Sequence, residues 1–96
     1  MSIHEFFNCN SVKCMKSGEF CVEVDNVKIT FTLDFTLGPI TEISLKSSNY
    51  KVNCKILFDS RKEKIISVDC YGFKADKICK SLKECFREKG LLYASL

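Results

Sequence analysis

The stretch that decides the fold of this chain reads Val27-Lys28-Ile29-Thr30-Phe31-Thr32-Leu33-Asp34-Phe35-Thr36-Leu37. Large apolar residues take every odd position and polar or charged residues take every even one. Successive side chains of a strand point to opposite faces, so this alternation predicts a strand with one buried and one solvated face. Phe31 and Leu33, in its middle, are the predicted core residues.

The same alternation occurs in four further segments, residues 20–24, 42–46, 50–56 and 66–70. Turn-forming residues separate them: Asp25-Asn26, Gly38-Pro39, Ser47-Ser48-Asn49 and the polar run 59–63. Short connections place consecutive strands side by side and antiparallel. The sequence therefore predicts a single antiparallel β-meander of about five strands.

Two helices are predicted at the ends of the sheet. Ser2 and Glu5 fit a capping box, which predicts a short N-terminal helix over residues 3–9 followed by an irregular stretch to residue 18. Residues 74–89 repeat apolar side chains at helical spacing, and Gly90 suits the C-terminal cap. The predicted fold class is α+β, one domain over residues 1–96, with the C-terminal amphipathic helix packed on one sheet face.

The cysteine content bears on the compartment. The chain has seven cysteines, an odd number, and most fall at apolar positions of strands or helix. The N-terminus lacks the basic and long apolar regions of a secretory signal, and no apolar run approaches the length of a membrane span. These features predict reduced, buried cysteines in a cytoplasmic or nuclear protein, or one in the host cytosol if the chain is virus-encoded.

Motifs for catalysis, cofactors or metals were sought in the sequence. His4, Cys9, Cys14 and Cys21 have the right chemistry for zinc, but the chain contains no C-x-x-C pair to present two thiolates together. It also contains no phosphate-binding glycine loop and no nucleophile elbow. We therefore expect no catalytic, cofactor-binding or metal-ligating residue, and a thiol or metal protein ranks only third among the functional hypotheses.

The charge is concentrated in the second half of the chain. Residues 49–96 carry eleven Lys and Arg against six acidic residues, whereas residues 1–48 carry four against six. The flank of the predicted helix is basic, which makes a small nucleic-acid-binding domain the second hypothesis. Its candidate residues are Lys74, Lys77, Lys80, Lys83 and Arg87.

An apolar surface carries the leading hypothesis. Leu57, Ile65 and Tyr71 fall at the outward parity of their strands, and the apolar tail Leu91-Leu92-Tyr93 follows the helix. Exposed apolar patches mark protein interfaces, although the N-terminal helix and the tail provide an alternative, internal cover for this one. The sequence thus favours a non-enzymatic protein-binding module of adaptor or inhibitor type, one that forms a homodimer through these six residues and does not contact membranes.

Overall fold

The computed structural model describes residues 7, 9, 12–16 and 18–93. Six strands precede one helix in the described chain. The strands form one antiparallel sheet in which each strand pairs with the next in sequence order. The elements are β1 (Val12–Lys16), β2 (Glu19–Val24), β3 (Val27–Thr36), β4 (Ile40–Ser47), β5 (Val52–Asp59), β6 (Lys64–Gly72) and α1 (Ala75–Glu88).

The core lies between the inner sheet face and α1, which packs on β6 and reaches β5 and β2. Phe31 is fully buried, which confirms the facing of β3, while Leu33 is half-buried against the same core. On α1, the buried residues Ile78, Leu82 and Phe86 recur at the spacing of one helical face. The inward-facing apolar residues of the strands and the apolar face of the helix thus pack together in one core.

The turns between the strands lie at two opposite ends of the sheet. Asp25 and Asn26 both have positive φ, 51° and 63°, as a two-residue hairpin requires, and they lie at the same end as the start of α1. We call this the helix-start end. At the other end, which we call the distal end, the Ser60 amide donates to the Pro39 carbonyl at 3.0 Å. The β3–β4 and β5–β6 turns are therefore joined there.

The N-terminal helix of the sequence-based architecture is wrong, and so is the irregular stretch after it. Of residues 3–9 the structure describes Phe7, in a short 3₁₀ position, and Cys9, in a bend; the others lie outside the described residues. Phe7 is fully buried, so its apolar character serves the core and not a helix face. Within residues 10–18, Val12–Lys16 forms β1, which adds a sixth strand beside β2. The predicted α+β class is confirmed in outline. The described chain forms a curled antiparallel sheet followed by one helix.

The expectation of reduced cysteines is also wrong. Cys9 is joined to Cys85 of α1, Cys54 of β5 is joined to Cys70 of β6, and Cys21 is disulfide-bonded as well. Cys54 and Cys70 are directly opposed in the ladder, with Cα atoms 4.0 Å apart. A cystine buries as readily as a thiol, so an apolar position in the sequence does not distinguish the two states.

A bulge reverses the predicted facing of Ile65. The register between β5 and β6 shifts between Leu57 and Phe58, so Ile65 pairs with Phe58 and is fully buried. One extra residue in β6 inverts the facing of the side chains before it relative to those after it, so Ile65 faces the core on the same side as Val68. The Ile65 amide donates to the Leu91 carbonyl at 2.6 Å, and residues 91–93 run beside the start of β6.

Candidate functional site

The outer face of β4, β5 and β6 carries a polar surface with one prominent aromatic ring. Strand register places Lys46, Asn53 and Tyr71 in one row across the three strands. Ser44, Lys55 and Asp69 form the next row. Two neighbouring open grooves, of about 420 and 290 Å³, share Lys46, Asn53 and Tyr71 as lining residues. We call this surface the Tyr71 groove.

The backbone around Tyr71 is fixed by close contacts. Gly72 has φ of 113°, and a Cβ there would approach the Val52 Cα to 2.9 Å and the Lys51 carbonyl more closely still. The Phe73 amide donates to the Lys51 carbonyl at 2.8 Å. The chain thus leaves β6 in a set direction, and the Tyr71 side chain remains 66% exposed.

A second aromatic surface flanks the same groove. Tyr50, which lines the groove, stacks on Phe73 with ring centroids 4.7 Å apart and planes within 6° of parallel. The Lys74 Nζ lies 5.3 Å from the centroid of the Phe73 ring. Two aromatic faces, those of Tyr50 and Tyr71, therefore border one groove.

Two of the basic residues predicted for nucleic acid are engaged within the protein. The Lys74 Nζ lies 3.0 Å from the Asp25 Oδ2, and Lys77 pairs with the same carboxylate. The hydrogen bonds from Lys77 and then Lys74 lower the pKa of Asp25 below its ordinary value. This cluster ties the β2–β3 turn to the start of α1, so its lysines serve the fold.

The other three predicted basic residues line a shallow groove on α1 of about 380 Å³. Two carboxylates share that groove, so its charge is mixed. The lining residues are Asp76, Cys79, Lys80, Lys83, Glu84 and Arg87. The predicted basic residues are therefore of two kinds: Lys74 and Lys77 are ion-paired with Asp25, whereas the other three share a groove with carboxylates.

Cys79 is a free thiol. Its Sγ donates to the Val68 carbonyl at 3.3 Å, and burial raises the pKa of the thiol above its ordinary value. A raised pKa keeps it protonated and weakly nucleophilic near neutral pH. Across the described part of the chain, no three His, Cys, Asp or Glu side chains group closely enough to hold a metal ion.

The six predicted interface residues do not form one surface. Ile65 and Leu91 are buried, whereas Leu57, Leu92 and Tyr93 are half-buried. Tyr71 lies at the helix-start end of β6, six residues from Ile65 and so about 20 Å along the strand. The Lys62 Nζ covers Tyr93 at 5.6 Å from the ring centroid. The structure thus brings Leu91–Tyr93 onto Ile65 and leaves Tyr71 apart.

The distal end of the sheet carries an exposed apolar surface that the sequence analysis did not predict. Phe35, Leu37 and Ile40 are 43%, 76% and 41% exposed, all within the β3–β4 hairpin. Phe35 has the buried parity, but β2 pairs with β3 only as far as Thr32 and leaves the end of β3 uncovered. The signal was the Ser17-Gly18 break, which limits the length of β2 relative to β3.

Comparisons of this chain with protein-family models, curated proteins and solved structures found no match. Among the described residues, no helix combines the length and apolar character needed to cross a bilayer.

Proposed function

We propose that this chain is a non-enzymatic protein-binding module, and that it self-associates through the distal end of its sheet. The observation that carries the proposal is the exposure of Phe35, Leu37 and Ile40 on a single hairpin. Exposed apolar side chains concentrated in one segment of a small domain mark interaction surfaces. Three residues of the interface predicted from the sequence, Leu57, Leu92 and Tyr93, lie half-buried at this same end.

The end of β3 supplies an edge for pairing. The Leu33 amide donates to the Gly18 carbonyl at 2.9 Å, which is the last backbone hydrogen bond on that side of β3 among the described residues. Backbone groups of alternate residues point to the same side of a strand, so those of Phe35 face the open edge. The Phe35 amide is held by the Asp34 Oδ1 at 3.0 Å. This leaves the Phe35 carbonyl as an acceptor for an added strand.

The protected amide makes the edge selective. A carboxylate that caps an edge amide opposes indiscriminate strand addition, which is how natural sheets limit aggregation. Two copies of β3 that meet antiparallel about a two-fold axis form a self-complementary contact with Phe35 at its centre and Leu37, which follows the strand, beside it. An extended apolar segment of another protein fits the same edge by strand addition, which is the adaptor or inhibitor mode.

The test is the molar mass of the protein in solution across a concentration series, measured by light scattering after size exclusion. Wild type is expected to form a dimer that Leu37→Asp converts to a folded monomer, because Leu37 is the most exposed of the three apolar side chains. Tyr71→Asp is the matched control, at a site that is 66% exposed and lies at the opposite end, and it should leave the dimer intact.

Two outcomes would overturn the proposal. One is a wild type that remains monomeric at millimolar concentration and pulls down no partner protein that depends on Leu37. The other is a dimer that Tyr71→Asp disrupts as strongly as Leu37→Asp does. Ile65→Asp is expected to unfold the chain instead of dissociating it, since Ile65 is fully buried.

A further inference from the structure

We propose that the Tyr71 groove binds single-stranded RNA. This inference goes beyond the protein-binding proposal, since it concerns the helix-start end of the outer face and not the distal end. It rests on three features that occur together there: an exposed aromatic ring, three lysines of which Lys46 and Lys51 form no described ion pair, and neutral polar side chains between them.

The first feature is a surface on which a base can stack. Tyr71 is 66% exposed, and its ring is not part of any aromatic pair among the described residues. Tyr50 borders the same groove and is held by its stack on Phe73. Single-stranded nucleic acids bind such aromatic faces because every base has a π-face to stack.

The second feature is the charge of the lining. Lys46, Lys51 and Lys55 line the two grooves, and no described Asp or Glu is among the lining residues. Asp69, which pairs with Lys55 in the ladder, is the nearest carboxylate of β6 on this face. Lys55 pairs with Glu42 at 3.3 Å, but both side chains are about half exposed, so a phosphate can replace that partner at little cost. The α1 groove differs, because Asp76 and Glu84 are among its own lining residues.

The third feature selects RNA among polyanions. Asn53 and Ser44 line the grooves between the lysines, and their amide and hydroxyl groups can both donate and accept hydrogen bonds. Single-stranded RNA offers base edges and 2′-hydroxyls to such groups. A duplex keeps its bases stacked on one another and so presents no free base face to Tyr71.

The experiment is fluorescence anisotropy with a labelled mixed-sequence single-stranded RNA, titrated with the protein at several salt concentrations. Binding is expected to weaken as salt rises, because lysines displace counterions from the phosphates. Tyr71→Ala should weaken binding about tenfold or more, whereas Tyr71→Phe should retain it, because stacking needs the ring and not the hydroxyl. Lys46→Gln should reduce the salt slope by about one.

The matched control is Lys80→Gln, which removes the same charge from the α1 groove and should leave affinity and slope unchanged. Leu37→Asp, at the distal end, should likewise have no effect on RNA binding. The proposal is overturned if wild type does not bind at low salt, or if Lys80→Gln and Lys46→Gln weaken binding equally. It is also overturned if single-stranded DNA, duplex RNA or polyglutamate competes as well as the RNA does.

Discussion

Phe7 lies against Phe20 with ring centroids 4.5 Å apart, and its edge meets Phe86 of α1 at 5.7 Å. The first described residue thus fills the space between β2 and the helix. The disulfide from Cys9 to Cys85 fastens the same segment to α1, with Cα atoms 5.6 Å apart. The helix is therefore held to the sheet by both an aromatic cluster and a covalent bond.

The first prediction concerns this disulfide. Replacing Cys9 and Cys85 by Ser should lower the free energy of unfolding by about 4 kcal/mol, because a loop of 76 residues loses its closure. Replacing Cys54 and Cys70 should cost about 3 kcal/mol, since their loop spans 16 residues. Chemical denaturation of the two double variants measures the difference, and equal losses would contradict it.

The same disulfides bear on the expected compartment. Disulfides persist in oxidising environments and are rare in the cytosol and nucleus, so the pairing in the structure and the expected cytoplasmic or nuclear location oppose each other. Mass spectrometry of the protein isolated from its native cells under non-reducing, thiol-trapping conditions decides between them. Alkylation of Cys54 and Cys70 in that material would show that the pair is reduced where the protein works.

The second prediction compares two phenylalanines on one strand face. Phe31 is fully buried and Phe35 is 43% exposed, although both belong to β3 and have the same parity. Phe31→Ala should cost about 3–5 kcal/mol through lost burial and a cavity, and Phe35→Ala about 1 kcal/mol or less. Thermal unfolding separates them, and similar losses would mean that the distal end of β3 is covered.

The third prediction concerns Gly72. An alanine Cβ there would clash with the Lys51 carbonyl and the Val52 Cα, and φ is positive as well. Gly72→Ala should destabilise the protein by about 3 kcal/mol or more and displace Tyr71. Gly18→Ala is the control: it has φ of 72° but open space around the added Cβ, so it should cost about 1 kcal/mol. Equal effects would refute the close contact.

The fourth prediction concerns acid stability. The folded-state pKa of Asp25 is lowered, so its contribution to stability is complete above the unfolded value of 3.8 and is lost as pH falls through the folded value. Asp25→Asn should remove this acid-dependent loss and make the slope of melting temperature between about pH 5 and pH 2 shallower. An unchanged slope in Asp25→Asn would show that Lys74 and Lys77 do not lower the pKa of this carboxyl in solution.

The fifth prediction concerns Cys79. Because burial raises the pKa of this thiol from 9.0, iodoacetamide should alkylate it slowly at neutral pH and faster only as pH rises above 9.0. Burial and the hydrogen bond from the Cys79 Sγ to the Val68 carbonyl both exist only in the folded protein. Unfolding in denaturant should therefore abolish the protection of the thiol. Rapid alkylation of Cys79 in the native protein at neutral pH would show that the thiol is not sheltered.

Much of the sheet could be predicted because alternation records which side of a strand is buried. The facing of β3 and the Asp25-Asn26 hairpin are confirmed on that basis. The facing of Ile65 could not be predicted, since it depends on a bulge that only the pairing of β5 with β6 reveals. The capping box at Ser2 suggested a helix because local spacing carries no information about the cavity that Phe7 fills.

The candidate sites divide in the same way. Tyr71 stands at an outward parity, and its exposure follows from the strand pattern. Its neighbours Lys46 and Asn53 lie 25 and 18 positions earlier, and only the register between β4, β5 and β6 brings the three into one row. The pairing of Lys74 and Lys77 with Asp25 is also a contact between distant segments, so the helical wheel alone overstated the free charge of α1.

The order of the strands has a consequence for the newly synthesised chain. Each strand pairs with the one made just before it, so the hairpins can form one after another as the polypeptide leaves the ribosome. The helix that covers the inner face is made after all six described strands, so Cys9 can pair with Cys85 only once the helix has been synthesised. During translation the half-finished sheet exposes its apolar face, and that is the stage at which a chaperone has most to protect.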